Sequence, residues 1–590
     1  MYKSIIRKTA FLLIFATVLS CIPSCKGNGG SLSEDESGVQ TEVNASGEVS
    51  QTESGNFIIA KDGTIRVSIV IGSDASSKEK AAARDLKAYL EKITGDTVKI
   101  IKDDSIAEGQ KYILVGKSLL TEELGIVKPA GYPGIEEVTV KQTGNYLVLI
   151  GNDDGNYNGT QFAVNMYLES LGCGWFGEGE LWEVVPSLKD IDATGTDIYH
   201  TPRFSSRITR VYDGGYDIAS RWYLGGDKSI TGHWLYQIAP ASMYEDHPEW
   251  YAYTKGSRNP AGYDYFQFCY SNDEFADYVA EKLIEYFNEH PDLVSMTIAA
   301  NDGWDEHFCE CEKCQSLGNV SDCMVYFANN VARRLAEVYP DRSLQIYSYH
   351  MTYEPPENDV PLEPNVEIMF CCETSMTKPL AEDYYKSGYD SITRNTYTCS
   401  WRENLEKWLE KTGSANISVW EWYCLSAGRS EWQYVPWVQG NVATRNQDLW
   451  EELGVKYIFY DQGPAEGYLE DESSIALRWP LWYVASRAMW GTDMTGEELL
   501  KDACCKLFGS AADAMFEYYQ KLAYASESCE SYSITWVPPT VKQMYEDYED
   551  EIDIIIAKIR AAMEGCSETE KQRIESQLYY WDKTKELLDK

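Results

Sequence analysis

Between Asn301 and Cys314 the chain reads NDGWDEHFCECEKC, directly after the apolar run Val294–Ala300. The carboxylates Asp302, Asp305 and Glu306, the histidine His307 and the cysteines Cys309, Cys311 and Cys314 thus crowd one strand-to-loop junction. Barrel enzymes carry their chemistry where a strand end turns acidic and aromatic. Glycosidic cleavage needs two carboxylates, one protonated to assist the leaving oxygen and one ionised as nucleophile or base. In a third route the substrate's own 2-acetamido group attacks, with an Asp orienting it and an adjacent Glu as acid. Asp305-Glu306 has the order that route needs. Glu421, inside the aromatic run ISVWEWYC, and Glu373, after IMFCC, are further candidates, since burying a lone carboxylate is costly without a partner or a function. The plainer readings are a solvated acidic loop for Asp305-Glu306 and a buried ion pair with an arginine for Glu421.

Cys309, Cys311 and Cys314 have C-x-C-x2-C spacing suited to a soft metal such as structural zinc, with His307 or Cys323 as the fourth ligand. A disulfide staple and free thiols are the alternatives. Only six histidines and no H-E-x-x-H argue against catalytic zinc, and there is neither a P-loop nor a dinucleotide fingerprint. Catalysis therefore calls for no cofactor.

The elements that must position these residues follow from pattern. Residues 57–197 read as a small α/β domain: a strand at Thr64–Ile71, a helix with Ala82, Leu86, Tyr89, Leu90 and Ile93 on one face, and a hairpin around Gly144-Asn145. Across 198–490, apolar runs at Ile208–Tyr212, Tyr265–Tyr270, Val294–Ala300, Leu344–Tyr349, Val366–Cys372, Ile417–Trp420 and Val455–Tyr460 alternate with helical stretches. Seven runs and one not placed predict a (β/α)8 TIM-like barrel, with a doubly wound sheet as the alternative. Residues 491–590 read as a helical C-terminal region. The runs end in Asp213, Ser271-Asn272, Asn301-Asp302, His350, Glu373, Glu421-Trp422 and Asp461-Gln462, termini that a parallel barrel gathers on one face.

A net charge of −41, from 52 basic and 93 acidic residues, argues against nucleic acid and anionic headgroups as partners. With 18 Trp and 43 Tyr, flat rings are available to stack on sugars, and Trp234, Trp304, Trp401 and Trp422 are the candidate platforms. At the N-terminus, Lys3, Arg7 and Lys8 precede the short apolar stretch Ala10–Leu19, and Val18-Leu19-Ser20-Cys21 is similar to a lipoprotein box, with Ser24-Cys25 a second cleavage point. Residues 1–25 are thus expected to be a signal and 26–56 a disordered tether. The protein is expected to be exported, lipid-anchored at the cell surface or secreted, meeting the membrane only through that anchor.

The chain also resembles a family of exported bacterial proteins, some of which define glycoside hydrolase family 163. AARDLKAYLEKITG, YILVGKS and GTQFAVNMYLESLGCGWFGEGELWEVVP resemble the domain that precedes barrels in families 20 and 67. GHWLYQIAPASMYEDHPEWYAYTKGSR, Asn301-Asp302 before C-x-C-x2-C, YEPP, CCETSMTKPL, VWEWY, LGVKYIFYDQG and ALRWPLWYVASRAMWG follow in the family's order. The resemblance implies a barrel that acts on glycans, with retaining endo-β-N-acetylglucosaminidase activity on N-glycans. It implies Asp302, Glu373 and Glu421 as pocket residues and His233 and Trp234 as sugar contacts, but it does not extend to Asp305-Glu306. His350 stands where relatives often carry glutamine, and Glu421 where many carry aspartate. The expectation is an exported glycosidase with Glu421 or Glu306 as acid, Asp302 or Glu373 as its partner, and Asn301, His350 and Asp461 among the substrate contacts. A non-catalytic glycan-binding lipoprotein and an α-glucuronidase-like exo-enzyme are the competing readings.

Overall fold

Helix α1 (Ser77–Thr94) is set by its apolar spacing and its ends. Ser76 and Glu79 close a capping box at the start, and Gly95 at φ +78° terminates the helix. The face Ala82, Leu86, Tyr89, Leu90 and Ile93 is buried. The computed structural model describes residues 56–177, 179–209, 218–258, 260, 266–302, 308–372, 378–380, 388–389, 396–397, 401–414, 416–423, 435–436, 438–461, 473–529 and 540–588.

Around α1 stands a six-stranded sheet of β1 (Ser68–Ile71), β2 (Ile100–Lys102), β3 (Tyr112–Val115), β4 (Val138–Thr143), β5 (Tyr146–Gly151) and β6 (Asp197–His200), in the order β6-β4-β5-β3-β1-β2. The strands β2, β1, β3 and β5 run parallel, while β4 and β6 are antiparallel additions. The expected hairpin is present: Thr143 pairs with Tyr146 across Gly144-Asn145, and Gly144 takes φ +52°. Helix α2 (Gly159–Ser170) packs beside α1 and against β4 and β5.

The second sheet has eight strands: β7 (Ser206–Thr209), β8 (Gly225–Gly226), β9 (Lys228–Ile230), β10 (Leu293–Thr297), β11 (Ser343–Ser348), β12 (Val366–Cys372), β13 (Ile417–Trp422) and β14 (Tyr457–Asp461). Their order is β8-β7-β14-β13-β12-β11-β10-β9. Because β8 and β9 are separated only by Asp227, the two ends of the list meet and the barrel is nearly closed. All its pairings are parallel except β8 on β7. Helices α3 (Asp273–Glu289), α4 (Val320–Val338), α5 (Trp401–Thr412), α6 (Gly440–Glu452) and α7 (Ser473–Trp490) form the outer layer.

One expected strand is corrected. Residues 266–270 of the Tyr265–Tyr270 run are not in the barrel, and only a single bridge links Phe268 to Tyr251. The run is apolar because it packs on helices: Phe268 stacks on Phe275 of α3 at 4.6 Å, and Tyr270 meets Phe327 of α4 at 5.5 Å. Its place is taken by β9, a short and mostly polar Lys-Ser-Ile segment that carries no apolar signal.

Alternation decides what each barrel strand presents inward. Gln345 Nε2 donates to Glu367 Oε2 at 3.2 Å, Tyr347 meets Trp420 at 5.8 Å, and Trp420 meets Phe459 at 4.6 Å. Ser343, Gln345 and Tyr347, then Glu367, Met369 and Cys371, Ser418 and Trp420, and Tyr457, Phe459 and Asp461 therefore share the inner face. The intervening residues face the helices.

The small domain is tied to the barrel by a buried pair, Arg207 Nη2 to Glu136 Oε2 at 2.6 Å, with Arg207 also donating to the carbonyls of Tyr223 and Phe204. Beyond α7 come α8 (Gly496–Leu507), α9 (Ala512–Ser528), α10 (Glu549–Ala562) and α11 (Glu568–Leu588). Arg573 of α11 reaches the carbonyls of Leu507 and Glu183, which locks this region onto α8 and the first domain. Among the described residues no helix is long and apolar enough to cross a membrane.

Candidate active site

Strand β10 delivers Asp302 to the C-terminal mouth of the barrel through Ile298–Asn301. Asn301 is buried and works as a clamp: its Nδ2 donates to Phe266 O at 2.7 Å, and Gln267 Nε2 donates back to Asn301 O at 2.5 Å and reaches Asp302 O at 3.4 Å. Tyr270 OH holds Gln267 Oε1 at 2.8 Å. The Asn301 amide nitrogen is thus committed to this backbone clamp, while its Oδ1 has no partner among the described residues.

With its backbone fixed, the Asp302 carboxylate meets His233, whose Nε2 lies 3.1 Å from Oδ1. His233 Nδ1 lies 2.7 Å from Ala300 O. A carbonyl only accepts, so Nδ1 donates to it, and the contact of Nε2 with Asp302 is productive when a proton lies between them. Burial pushes the Asp302 carboxyl up, but the neighbouring His233 and His350 outweigh it and hold the group below the usual carboxylate range. Tyr347 and Tyr349 flank His233 at 6.0 and 6.3 Å, and Tyr347 OH accepts from Gly232 N at 2.6 Å. His350, at φ +47°, lies against Tyr349 at 3.9 Å. The mouth thus joins an ionised carboxylate, two imidazoles and tyrosine rings, with Trp420 beside Tyr347 on the inner face. Tyr347, Tyr349 and Trp420 escaped the sequence reading, although alternation within LQIYSY and VWEW carried their signal.

Glu421 is corrected. It is fully buried, and its side chain leaves the barrel on the helix side. Asn446 Nδ2 of α6 donates to Oε1 at 3.1 Å and Tyr423 OH to Oε2 at 3.2 Å. Asn446 also binds Tyr423 OH and, through Oδ1, the amide of Leu380. The expected arginine partner is replaced by neutral donors. Burial therefore dominates and raises the carboxyl to about 7, opposed by donors on Trp450, Tyr423, Asn446 and Tyr460. Strand parity explains the outcome, since Trp420 occupies the lumen and its neighbour must point away.

Trp401 is also corrected: its ring lies in the core between Phe370 (6.2 Å) and Trp450 (5.5 Å), and its Nε1 donates to Leu380 O. The Trp234 ring packs on Tyr286 of α3 at 5.6 Å, so it faces the helix layer. Asp461, buried at the end of β14, shares the inward parity of Tyr457 and Phe459. Of the run-end residues, Asn272 caps α3 instead of facing the pocket. Glu373, Trp304, Asp305, Glu306 and His307 lie outside the described residues, as does the side chain of Trp422.

The cysteines converge, with one correction. Cys309, Cys311 and Cys314 are joined by Cys269, and the four Sγ atoms lie within 4.8 Å of one another. Cys323 instead points its thiol at Cys314 O. Cys269 sits in the apolar run FQFCY, about forty residues before the others, so the spacing of the cluster does not reveal it. This four-thiol set could hold a metal ion.

A cavity of about 310 Å³ opens at the opposite end of the barrel, among Ser295, Arg342, Ser343, Glu367 and Tyr457. Those residues begin their strands, at the end that serves stability in such barrels.

The family described as "Domain of unknown function (DUF4838)" matches residues 179–520, more than half of the chain. No curated protein matches it. Among solved structures, a family 115 4-O-methyl-α-glucuronidase with specificity for decorated arabinogalactans aligns at TM-score 0.54 and 11% identity, over 90% of this chain and 73% of that one. A family 138 glycoside hydrolase targeting pectin rhamnogalacturonan II aligns at 0.47 and 11%, over 78% of this chain and 56% of that one. A family 89 glycoside hydrolase from Clostridium perfringens aligns at 0.39 and 8%, over 86% and 65%. The first is a likeness of fold; the other two are too distant to add to it. The chain spans little more than half the length of the family 138 enzyme.

Proposed function

This chain belongs to the DUF4838 family, and from that premise we propose that it is a glycoside hydrolase whose active site is the C-terminal mouth of its barrel. One observation carries the reading: Asp302, clamped at a strand end and held below the usual carboxylate range, meets His233 at 3.1 Å beside Tyr347 and Tyr349. An ionised carboxylate suits the nucleophile, the base or the residue that orients an acetamide; it does not suit the acid. The acid must be a second carboxylate, and Glu421 is turned away from the pocket. Glu373 is the first candidate on its sequence position alone, followed by Asp461 on strand parity and Glu306.

The substrate we propose is a GlcNAc-containing glycan, cleaved by endo-β-N-acetylglucosaminidase action on N-glycans, as the resemblance to family 163 implies. Glycoproteins bearing N-glycans should release an oligosaccharide, and Asp302→Asn and Glu373→Gln should each abolish release. Arabinogalactan and glucuronoxylan fragments form the second arm. Release of a single uronic acid there, with intact N-glycans, would move the reading to an exo-glucuronidase. The outward turn of Glu421 favours one further reading, a non-catalytic glycan-binding protein. Binding without release from every glycan tested would establish it. We also propose export with a lipid on Cys21, which labelling with a radioactive fatty acid in wild type and Cys21→Ala would test.

A further inference from the structure

We propose that Cys269, Cys309, Cys311 and Cys314 bind one Zn²⁺ as a tetrathiolate, and that this ion holds the Asp302 strand end in register. Tetrahedral zinc with Zn–S bonds of about 2.3 Å places its sulfurs about 3.8 Å apart. Cys269 Sγ lies 3.7 Å from Cys311 Sγ and 3.8 Å from Cys314 Sγ, and all four are free thiols. Two disulfides would instead divide the set into two short pairs.

The surroundings suit thiolates. Tyr253 N donates to Cys309 Sγ at 3.3 Å, and Arg258 Nη1 lies 3.9 Å from the same sulfur. Ser271 Oγ lies 3.1 Å from Cys314 Sγ and 3.5 Å from Cys269 Sγ. A zinc with four thiolates carries two net negative charges, and Arg258 partly offsets them. Polar groups of this kind fix ligands in orientation and tune affinity.

The link to the mouth is short. Gln267, two residues before Cys269, holds the carbonyls of Asn301 and Asp302, and Phe266 O holds the Asn301 amide. An ion that joins Cys269 to Cys309 therefore pins the segment that clamps Asp302. The four cysteines act as positioning residues, and only the consequence for hydrolysis rests on the glycosidase reading.

Full-length protein purified under reducing conditions should contain one zinc per chain. Its Co²⁺-substituted form should show the visible bands of a tetrahedral thiolate site, and X-ray absorption should find four sulfurs at about 2.3 Å. Cys269→Ser should lose those bands, Cys323→Ser should keep them, and Ser271→Ala should weaken zinc by about 10-fold. Stripping zinc from the wild type should speed amide exchange in 266–272 and 299–302 by about tenfold or more and leave 112–115 unchanged. If Cys269→Ser does not fold, the wild-type spectra and exchange decide. A metal-free protein with disulfides among the four, or coordination by nitrogen or oxygen, would overturn the site. Unchanged exchange at 299–302 would overturn the positioning role, and neither result depends on any hydrolysis.

Discussion

Two acidic strand ends in this barrel have opposite fates. Asp302, after β10, stands partly open at the mouth beside a histidine and is held ionised. Glu421, near the end of β13, is sealed between the sheet and α6 among neutral donors and is pushed up to about 7. Both satisfied the same criterion in sequence, a carboxylate at the end of an apolar run. What separates them is the side of the sheet: the lumen supplies space and a histidine partner, and the helix layer supplies packing and neutral hydrogen bonds. A perturbed carboxyl is a functional candidate only when something can reach it.

The sharpest way to break this contrast is the rate. Asp302→Asn should lower hydrolysis by about 10²–10⁴-fold with the melting temperature little changed, measured by oligosaccharide release and calorimetry. Trp401→Ala should do the reverse, costing about 3–5 kcal/mol in denaturant unfolding while folded protein keeps its KM, because the ring fills core beside Trp450. A raised KM with unchanged stability would restore Trp401 as a sugar platform.

The two carboxylates should also differ in sign with pH. The Glu421 pKa is raised on folding, from the ordinary glutamate range to about 7. Its contribution is therefore complete below the unfolded value and is lost as pH rises to the folded one. From about pH 5 to about pH 8, wild type should lose about 2–3 kcal/mol relative to Glu421→Gln. The Asp302 pKa is lowered, so its contribution is present above the ordinary carboxylate range and is lost in acid below it. Unfolding of both variants across pH should show the opposite slopes, and parallel slopes would erase the distinction. The smallest effect expected is that of Glu421→Gln on kcat, within about threefold; a loss like that of Asp302→Asn would return Glu421 to the reaction.

Local order was readable where one periodicity met a clear end signal. Ser76 and Gly95 bound α1, and Gly144-Asn145 turns the hairpin. Most barrel strands were readable because each holds several large apolar or aromatic residues within a few positions. That same property hid the rest. Tyr265–Tyr270 has the composition of a strand but packs between helices, while β9 is a strand with almost no apolar content. In WEW, alternation shows that Trp420 and Glu421 oppose each other, but not which of them faces the lumen.

The sequence by itself determined most of the strand and helix pattern, the net acidic charge, and the placing of Asp302 at a strand end. Tertiary structure alone decided that Glu421 faces α6, that Trp401 is core, and that Cys269 completes the sulfur cluster beside the Asp302 clamp. The physical reason is one of range: periodicity and caps act between residues a few positions apart. Strand parity within a closed barrel, and the meeting of Cys269 with Cys309, depend on partners that only folding brings within reach.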